Sequence, residues 1–303
     1  MFADTPEQWQ LNRPPLPHFK DPKQFLEQTR SLCALLSPET KSILKKLENG
    51  EYKHYQFTDI PITERIPPTP LAYPPPEESN VSQATGIVGC IGQTLGKIFG
   101  YQENSDYLIY DIYPVCGYEQ SSSFINSRKM LGFHSDGSAH TQLAPDYTLL
   151  FCIRNDLLSV NLIAYVDDVI KILPDKIIKI LFEPRFIHLV SQTPQKTVCK
   201  AILNYEQGNV TIKYDEENVS GTDKQSREAI DILNLAIRQS AKPVKNYANS
   251  LLILNNKRCL HARTPFEPRY NGKDRWIKGT YVSRAPIENG TILKLNPQSS
   301  STY

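Results

Sequence analysis

His134, Ser135 and Asp136 close a run, MLGFHSD, whose residue types favour a strand. Side chains alternate faces along a strand, so His134 and Asp136 point one way and Ser135 the other. An imidazole and a carboxylate are thereby presented together. Six histidines and an acidic frequency of 32 in 303 give about 0.6 such pairs by chance, so the tripeptide needs support from elsewhere. That support is His261, just beyond the apolar run SLLILNN, and Arg275, which opens the next strand 275 − 261 = 14 residues later. An antiparallel pair joined through this proline-bearing Asn-Gly loop would set histidine and arginine side by side. Two neutral imidazoles and one carboxylate on one face of a metal ion leave the opposite face open, as a non-haem Fe(II) centre needs in order to admit a cosubstrate and dioxygen. An arginine alongside suits the far carboxylate of a chelating keto-diacid through a bidentate pair that lysine does not reproduce. Two other readings stay open on the same residues. One is a zinc hydrolase, which would also want a glutamate base and has no use for Arg275; the other is a non-catalytic jelly-roll small-molecule binding protein.

The elements that must position these groups read as follows. Residues 23–48 carry apolar positions at helical spacing, broken at Ser37-Pro38, which predicts two short helices. Residues 52–60 read as a strand, 61–76 as a proline-rich crossing loop, and 82–99 as a buried helix of small residues. Strands are then expected at 107–115, 130–136, 146–154 and 160–166, a helical insertion at 167–184, and further strands in FIHLV, AILNY and VTIKYD. A helix at 222–240 precedes two closing strands at 250–256 and 275–284. Short β-rich runs at this spacing predict a mainly β fold with peripheral helices, a double-stranded β-helix or jelly roll. A single domain over 1–303 is expected, with an N-terminal arm at 1–22, a core at 23–294 and a disordered tail at 295–303.

Composition narrows the partners. Lys plus Arg is 34 against Asp plus Glu at 32, so the net charge of +2 gives no general field to hold nucleic acid or an anionic membrane. With 40% apolar residues and a mean hydropathy of −0.41, no run approaches the ~18 apolar residues of a spanning helix. The polar, proline-broken start does not read as a secretory leader, so a cytoplasmic protein acting on a small molecule is expected. The six cysteines stand singly, which argues against a zinc ribbon or a disulfide framework.

The stretch PDYTLLFCIRND after the H-x-D, and LHARTPFEPRYNGKDRWIKGTYVSR near the C-terminus, resemble the clavaminate synthase-like branch of the Fe(II)/2-oxoglutarate oxygenases. The resemblance runs over roughly residues 23–290, and the branch includes hydroxylases of free arginine, asparagine and lysine. It implies that His134, Asp136 and His261 ligate Fe(II), that 2-oxoglutarate and dioxygen are cosubstrates, and that Arg275 binds the 5-carboxylate. Members of the branch add a threonine or serine to that carboxylate; NDLLSVNLIAYVDD has no threonine, and Ser159 or Asn161 would substitute. Asp136 also implies oxygen transfer or desaturation, since related halogenases carry a small residue at that position. For the substrate, the resemblance implies that Glu103, with Gln102 and Asn104 as its neighbours in an uncertain register, meets an amine. Asp215, 261 − 215 = 46 residues before His261, would hold a cationic end, with Asn126 and Ser127 behind the substrate. The implied reaction is hydroxylation of an unactivated C–H in a small amine-bearing substrate, a free basic or polar amino acid of the lysine, arginine or asparagine type. One departure bears on that choice. Gly279 stands where amino-acid hydroxylases of the branch often place an arginine for the substrate carboxylate, so that carboxylate is either held otherwise or missing. A smaller departure is His261-Ala262-Arg263 in place of H-G-R.

Overall fold

Strands with apolar residues on both faces must be covered on both sides, and in this chain one side is a second sheet and the other a layer of helices. A computed structural model describes residues 1, 21–102, 107–121, 124–140, 143–155, 159–192 and 195–293. The chain enters through α1 (Pro22–Cys33), α2 (Pro38–Glu48), β1 (His54–Phe57) and α3 (Ser82–Leu95). Ser37 opens α2 as read, its hydroxyl accepting from the Thr40 N–H at 3.1 Å ahead of Pro38. Then follow β2 (Lys97–Tyr101), β3 (Tyr110–Ile112), β4 (Leu131–His134), β5 (Tyr147–Arg154) and β6 (Val160–Tyr165). The insertion forms α4 (Val166–Ile172) and α5 (Asp175–Leu181), parted at Pro174, and β7 (Phe186–Gln192), β8 (Gln195–Lys200), β9 (Leu203–Glu206), β10 (Asn209–Ile212) and β11 (Val219–Gly221). Last come α6 (Lys224–Ser240), β12 (Lys242–Lys245), β13 (Ser250–Asn255), β14 (Cys259–Arg263), β15 (Trp276–Ser283) and β16 (Thr291–Leu293).

The larger sheet has the order β1-β13-β5-β15-β2-β16, with β3 also paired to β15; the facing sheet is β12-β6-β14-β4. Together they make the expected jelly roll. Leu150, Ile277 and Leu252 of the first sheet pack on Ile163 and Cys259 of the second. The first sheet's outer face is covered by α1, α2 and α3 through Phe25, Leu44, Ile91 and Val282, and the second sheet's by α4, α5 and α6. Alternation along β15 shows the two faces plainly: Ile277 and Tyr281 point between the sheets, Trp276 and Val282 toward the helices.

Several expectations need correction. The helix read over 82–99 stops at Leu95, because Gly96 lies so close to β15 that a Cβ there would sit 2.5 Å from the Ser283 carbonyl; Lys97–Tyr101 is strand instead. The strand at 107–115 shortens to β3, and β8, β11, β12 and β16 went unread. The largest error concerns His261. It lies on a strand of its own in the second sheet, and β13 and β15 are not partners, since β5 runs between them. Most of the N-terminal arm and all of the tail at 295–303 lie outside the described residues.

Two buried polar groups give tests of this packing. Lys278, on the helix-facing side of β15, pairs with Asp111 of β3 at 2.9 Å, and Asp111 also accepts from the Trp276 indole at 2.7 Å. Asp111→Ala leaves the Lys278 ammonium buried alone and is expected to destabilise by ~3 kcal/mol, read as a lowered denaturation midpoint, whereas Asp111→Leu/Lys278→Leu should recover most of the loss. His188 on β7 is fully buried with neither ring nitrogen partnered, and burial, then Lys200 and Lys213, hold its pKa down to about 3. The unfolded chain protonates this imidazole below about pH 6.5 and the folded chain does not, so folding stability falls as pH drops through that window, by up to ~1.4 kcal/mol per pH unit. Urea midpoints at pH 7 and pH 5 should show the fall, and His188→Leu should flatten it.

Candidate functional site

His134 ends β4 and His261 sits in β14, and the two are direct cross-strand partners, so their side chains leave the second sheet from adjacent positions. Their ring centroids are 4.2 Å apart. Asp136 lies two residues past the end of β4, with Oδ1 3.8 Å from His134 Nε2 and Oδ2 3.7 Å from His261 Nε2. One ligand atom from each residue lies within 4.8 Å of the others. His134 Nδ1 bonds the Gly132 carbonyl at 2.8 Å, which fixes the proton on that nitrogen and leaves Nε2 bare toward Asp136. Burial, with the neighbouring His134, lowers the His261 pKa to about 4, so that imidazole is neutral at physiological pH. Asp136 therefore lies against two imidazoles, and no Lys or Arg pairs with it among the described residues; a divalent cation is the complement this donor set lacks.

Supports around the carboxylate are equally specific. Thr148 of β5 donates its hydroxyl to Asp136 Oδ2 at 2.6 Å. Asn256 clamps the backbone of the same residue, accepting from its N–H at 2.8 Å and donating to its carbonyl at 3.0 Å and to that of Pro145 at 3.1 Å. Asn256→Ala is expected to weaken metal binding ~10–100-fold while leaving the three ligands in place, measured by competition against a chelating dye.

A cavity of about 380 Å³ opens onto these groups between the two sheets. Arg275 reaches it from the residue before β15, 4% exposed, its Nε without a partner, and burial lowers its pKa to about 10, where it stays charged. Asn161 of β6 lines the same cavity with its Nδ2 also unpartnered. Two orphaned donors in one buried cavity call for an anion.

No family model matches the sequence. The chain is 29% identical over 271 residues to clavaminate synthase 2 of Streptomyces clavuligerus, covering 85% of this chain and 83% of that one. It is 25% identical over 225 residues to the L-ornithine/L-arginine 3-hydroxylase of Catenulispora acidiphila, covering 64% of this chain and 65% of the relative. Among solved structures, asparagine oxygenase with Fe(II), 2S,3S-3-hydroxyasparagine and succinate superposes with a TM-score of 0.85 over 95% of this chain and 94% of that one, at 20% identity. The chain is similar to clavaminate synthase 2 along most of its length.

Around this cavity the substrate residues expected from sequence divide into three groups. Asp215 lines the cavity, bridged in backbone to His134, its carboxylate oriented by the Glu217 N–H at 3.0 Å and the Asn218 amide at 2.9 Å. Ser159 and Asn126 are buried but turned elsewhere: the Ser159 hydroxyl donates to Asn155 Oδ1, and the Asn126 side chain donates to the Ser121 carbonyl and accepts from Arg263. Gln102 is exposed at the end of β2 and does not line the cavity; Glu103 and Asn104 lie outside the described residues. Ser127 is buried with its hydroxyl unpartnered, away from the cavity lining.

The cavity is also lined by residues that the motif reading passed over. Arg263, two residues past His261 on the same strand face, enters the cavity, and strand alternation alone would have placed it there. Tyr101, Tyr110 and Tyr281 line the cavity as a connected aromatic group, the Tyr101 hydroxyl lying against Gly137 beside Asp136.

Proposed function

We propose that this chain is an Fe(II)- and 2-oxoglutarate-dependent dioxygenase that hydroxylates an unactivated C–H of a small amine-bearing substrate of the amino-acid type. The observation that carries the reading is the convergence of His134, Asp136 and His261 within 4.8 Å of one another, beside a buried guanidinium with an open nitrogen. His134, Asp136 and His261 would hold the metal, and Arg275 with Asn161 the far carboxylate of the keto acid. When bound, metal and cosubstrate together supply the activation of dioxygen and the oxidation of the C–H bond.

The protein's own part is positional. Gly132 and the Asn256–Thr148 pair hold the ligands in their orientation, so little reorganisation is needed on loading. Asp215 takes the substrate's cationic group and so fixes which carbon faces the metal side. The buried rings of Tyr101, Tyr110 and Tyr281 give the cavity an aromatic lining of low polarity, in which a charged contact is stronger than in water. A zinc hydrolase, the alternative on the same ligands, gives no role to Arg275 or Asn161. All six cysteines are free, which fits a reducing, cytoplasmic location for a single oxygenase domain. No helix among the described residues is long and apolar enough to cross a membrane.

Anaerobic reconstitution with Fe(II) and 2-oxoglutarate, followed by air and a substrate panel, should give stoichiometric succinate and a product heavier by one oxygen. Failure of the protein to bind 2-oxoglutarate in the presence of metal would sink the reading.

A further inference from the structure

The charges around the cavity restrict what can share it with the cosubstrate. Two guanidiniums reach it among the described residues. Arg263 spends both terminal nitrogens on the protein, donating to the carbonyls of Ser127, Thr264, Asn126 and Lys129 and to the Asn126 side chain. Arg275 is the guanidinium whose bidentate edge is left to offer, its Nε buried and without a partner. His140 lies flat on Tyr101, 4.0 Å between centroids, and burial followed by Lys200 keeps it neutral with a pKa of about 4. Against this guanidinium stands Asp215, whose carboxylate meets amide N–H groups and, among the described residues, no cation.

The wall beside β15 is closed to a further charge. A Cβ on Gly279 would lie 2.6 Å from the Tyr110 ring, so that glycine is the seat of the tyrosine. Tyr110 stacks toward Tyr281 at 4.9 Å and Tyr281 toward Tyr101 at 5.1 Å, and the Tyr281 hydroxyl bonds that of Tyr110.

We propose that the substrate carries an amine or guanidine for Asp215 but no free carboxylate, its acyl end being an uncharged carbonyl in amide or thioester linkage. This rests on the reading above, in which 2-oxoglutarate occupies Arg275. A second carboxylate would then be desolvated with no guanidinium edge open to pair with it, whereas a neutral carbonyl needs only a phenolic hydrogen bond and lies against tyrosine faces.

The test is calorimetry on the anaerobic Fe(II) protein. 2-Oxoglutarate is titrated first, then L-arginine and L-lysine against their carboxamides and their N-acetylcysteamine thioesters. The neutral forms should bind at least ~10-fold tighter than the free acids, and the tighter of the amide and thioester arms identifies the linkage. Equal or tighter binding of the free acids, or binding of neither series to the 2-oxoglutarate complex, overturns the inference. Absence of 2-oxoglutarate binding in the first step instead overturns the oxygenase reading on which it stands. As a second measurement, Tyr110→Ala/Gly279→Arg restores a cation in the vacated space and should turn the preference toward the acids; an unchanged preference in that folded variant counts against the proposal.

Discussion

Asp136→Ala is expected to lower Fe(II) affinity by more than 100-fold, the upper end of what loss of an outer-shell partner costs, and to reduce 2-oxoglutarate consumption in proportion. The carboxylate is the one anionic group between His134 Nε2 and His261 Nε2, so its removal leaves two neutral nitrogens and a site with no charge to attract a dication. Asp136→Asn separates charge from shape. It keeps an oxygen for the Thr148 hydroxyl and should preserve the fold, yet it should bind metal nearly as poorly as the alanine variant. Metal titration with circular dichroism on the same samples checks both statements, and wild-type affinity in either variant would remove Asp136 from the site.

Arg275→Met should act in opposite directions on binding and on stability. Truncating one partner of a buried charge pair costs about 2–5 kcal/mol, which predicts a 2-oxoglutarate affinity weaker by ~30-fold to several thousand-fold. In the protein without cosubstrate, however, this guanidinium is 4% exposed with Nε unpartnered, an arrangement that costs folding energy. Replacing it with an apolar chain of similar length should therefore raise the thermal midpoint. Arg275→Lys keeps the charge but not the planar fork and should fall between the two in affinity. If Arg275→Met binds 2-oxoglutarate normally, the carboxylate is held elsewhere, whatever the melting curve shows.

What the sequence makes legible here is what lies within a few residues. The H-x-D tripeptide, the histidine before R-T-P-F and the arginine before Trp276 are each local, and alternation correctly puts Gly279 inward and Lys278 outward on β15. Ser37-Pro38 divides the first two helices by capping chemistry that needs no tertiary information. The sheet order is different in kind: nothing near residue 261 says that β5 will separate β13 from β15, or that β14 will cross to the facing sheet and meet β4. The supports of the site share that difficulty. Asn256 reads as a turn residue in Asn255-Asn256, and its clamp on Asp136 is formed across 120 residues of chain. Likewise Gly279 reads as an omission until Tyr110 is seen occupying its space. Ser159 shows the converse failure, a residue of suitable type at a suitable spacing whose hydroxyl is already spent on Asn155.

The indole of Trp276 is one of two in the chain, completely enclosed, bonded to a carboxylate and adjacent in sequence to Arg275. With Trp9→Phe, tryptophan emission would come from that position alone. Occupation of the guanidinium next door by a dianion changes the local field on the ring, so the protein carries a label-free optical reporter for cosubstrate loading, fast enough for stopped-flow measurement in the absence of air.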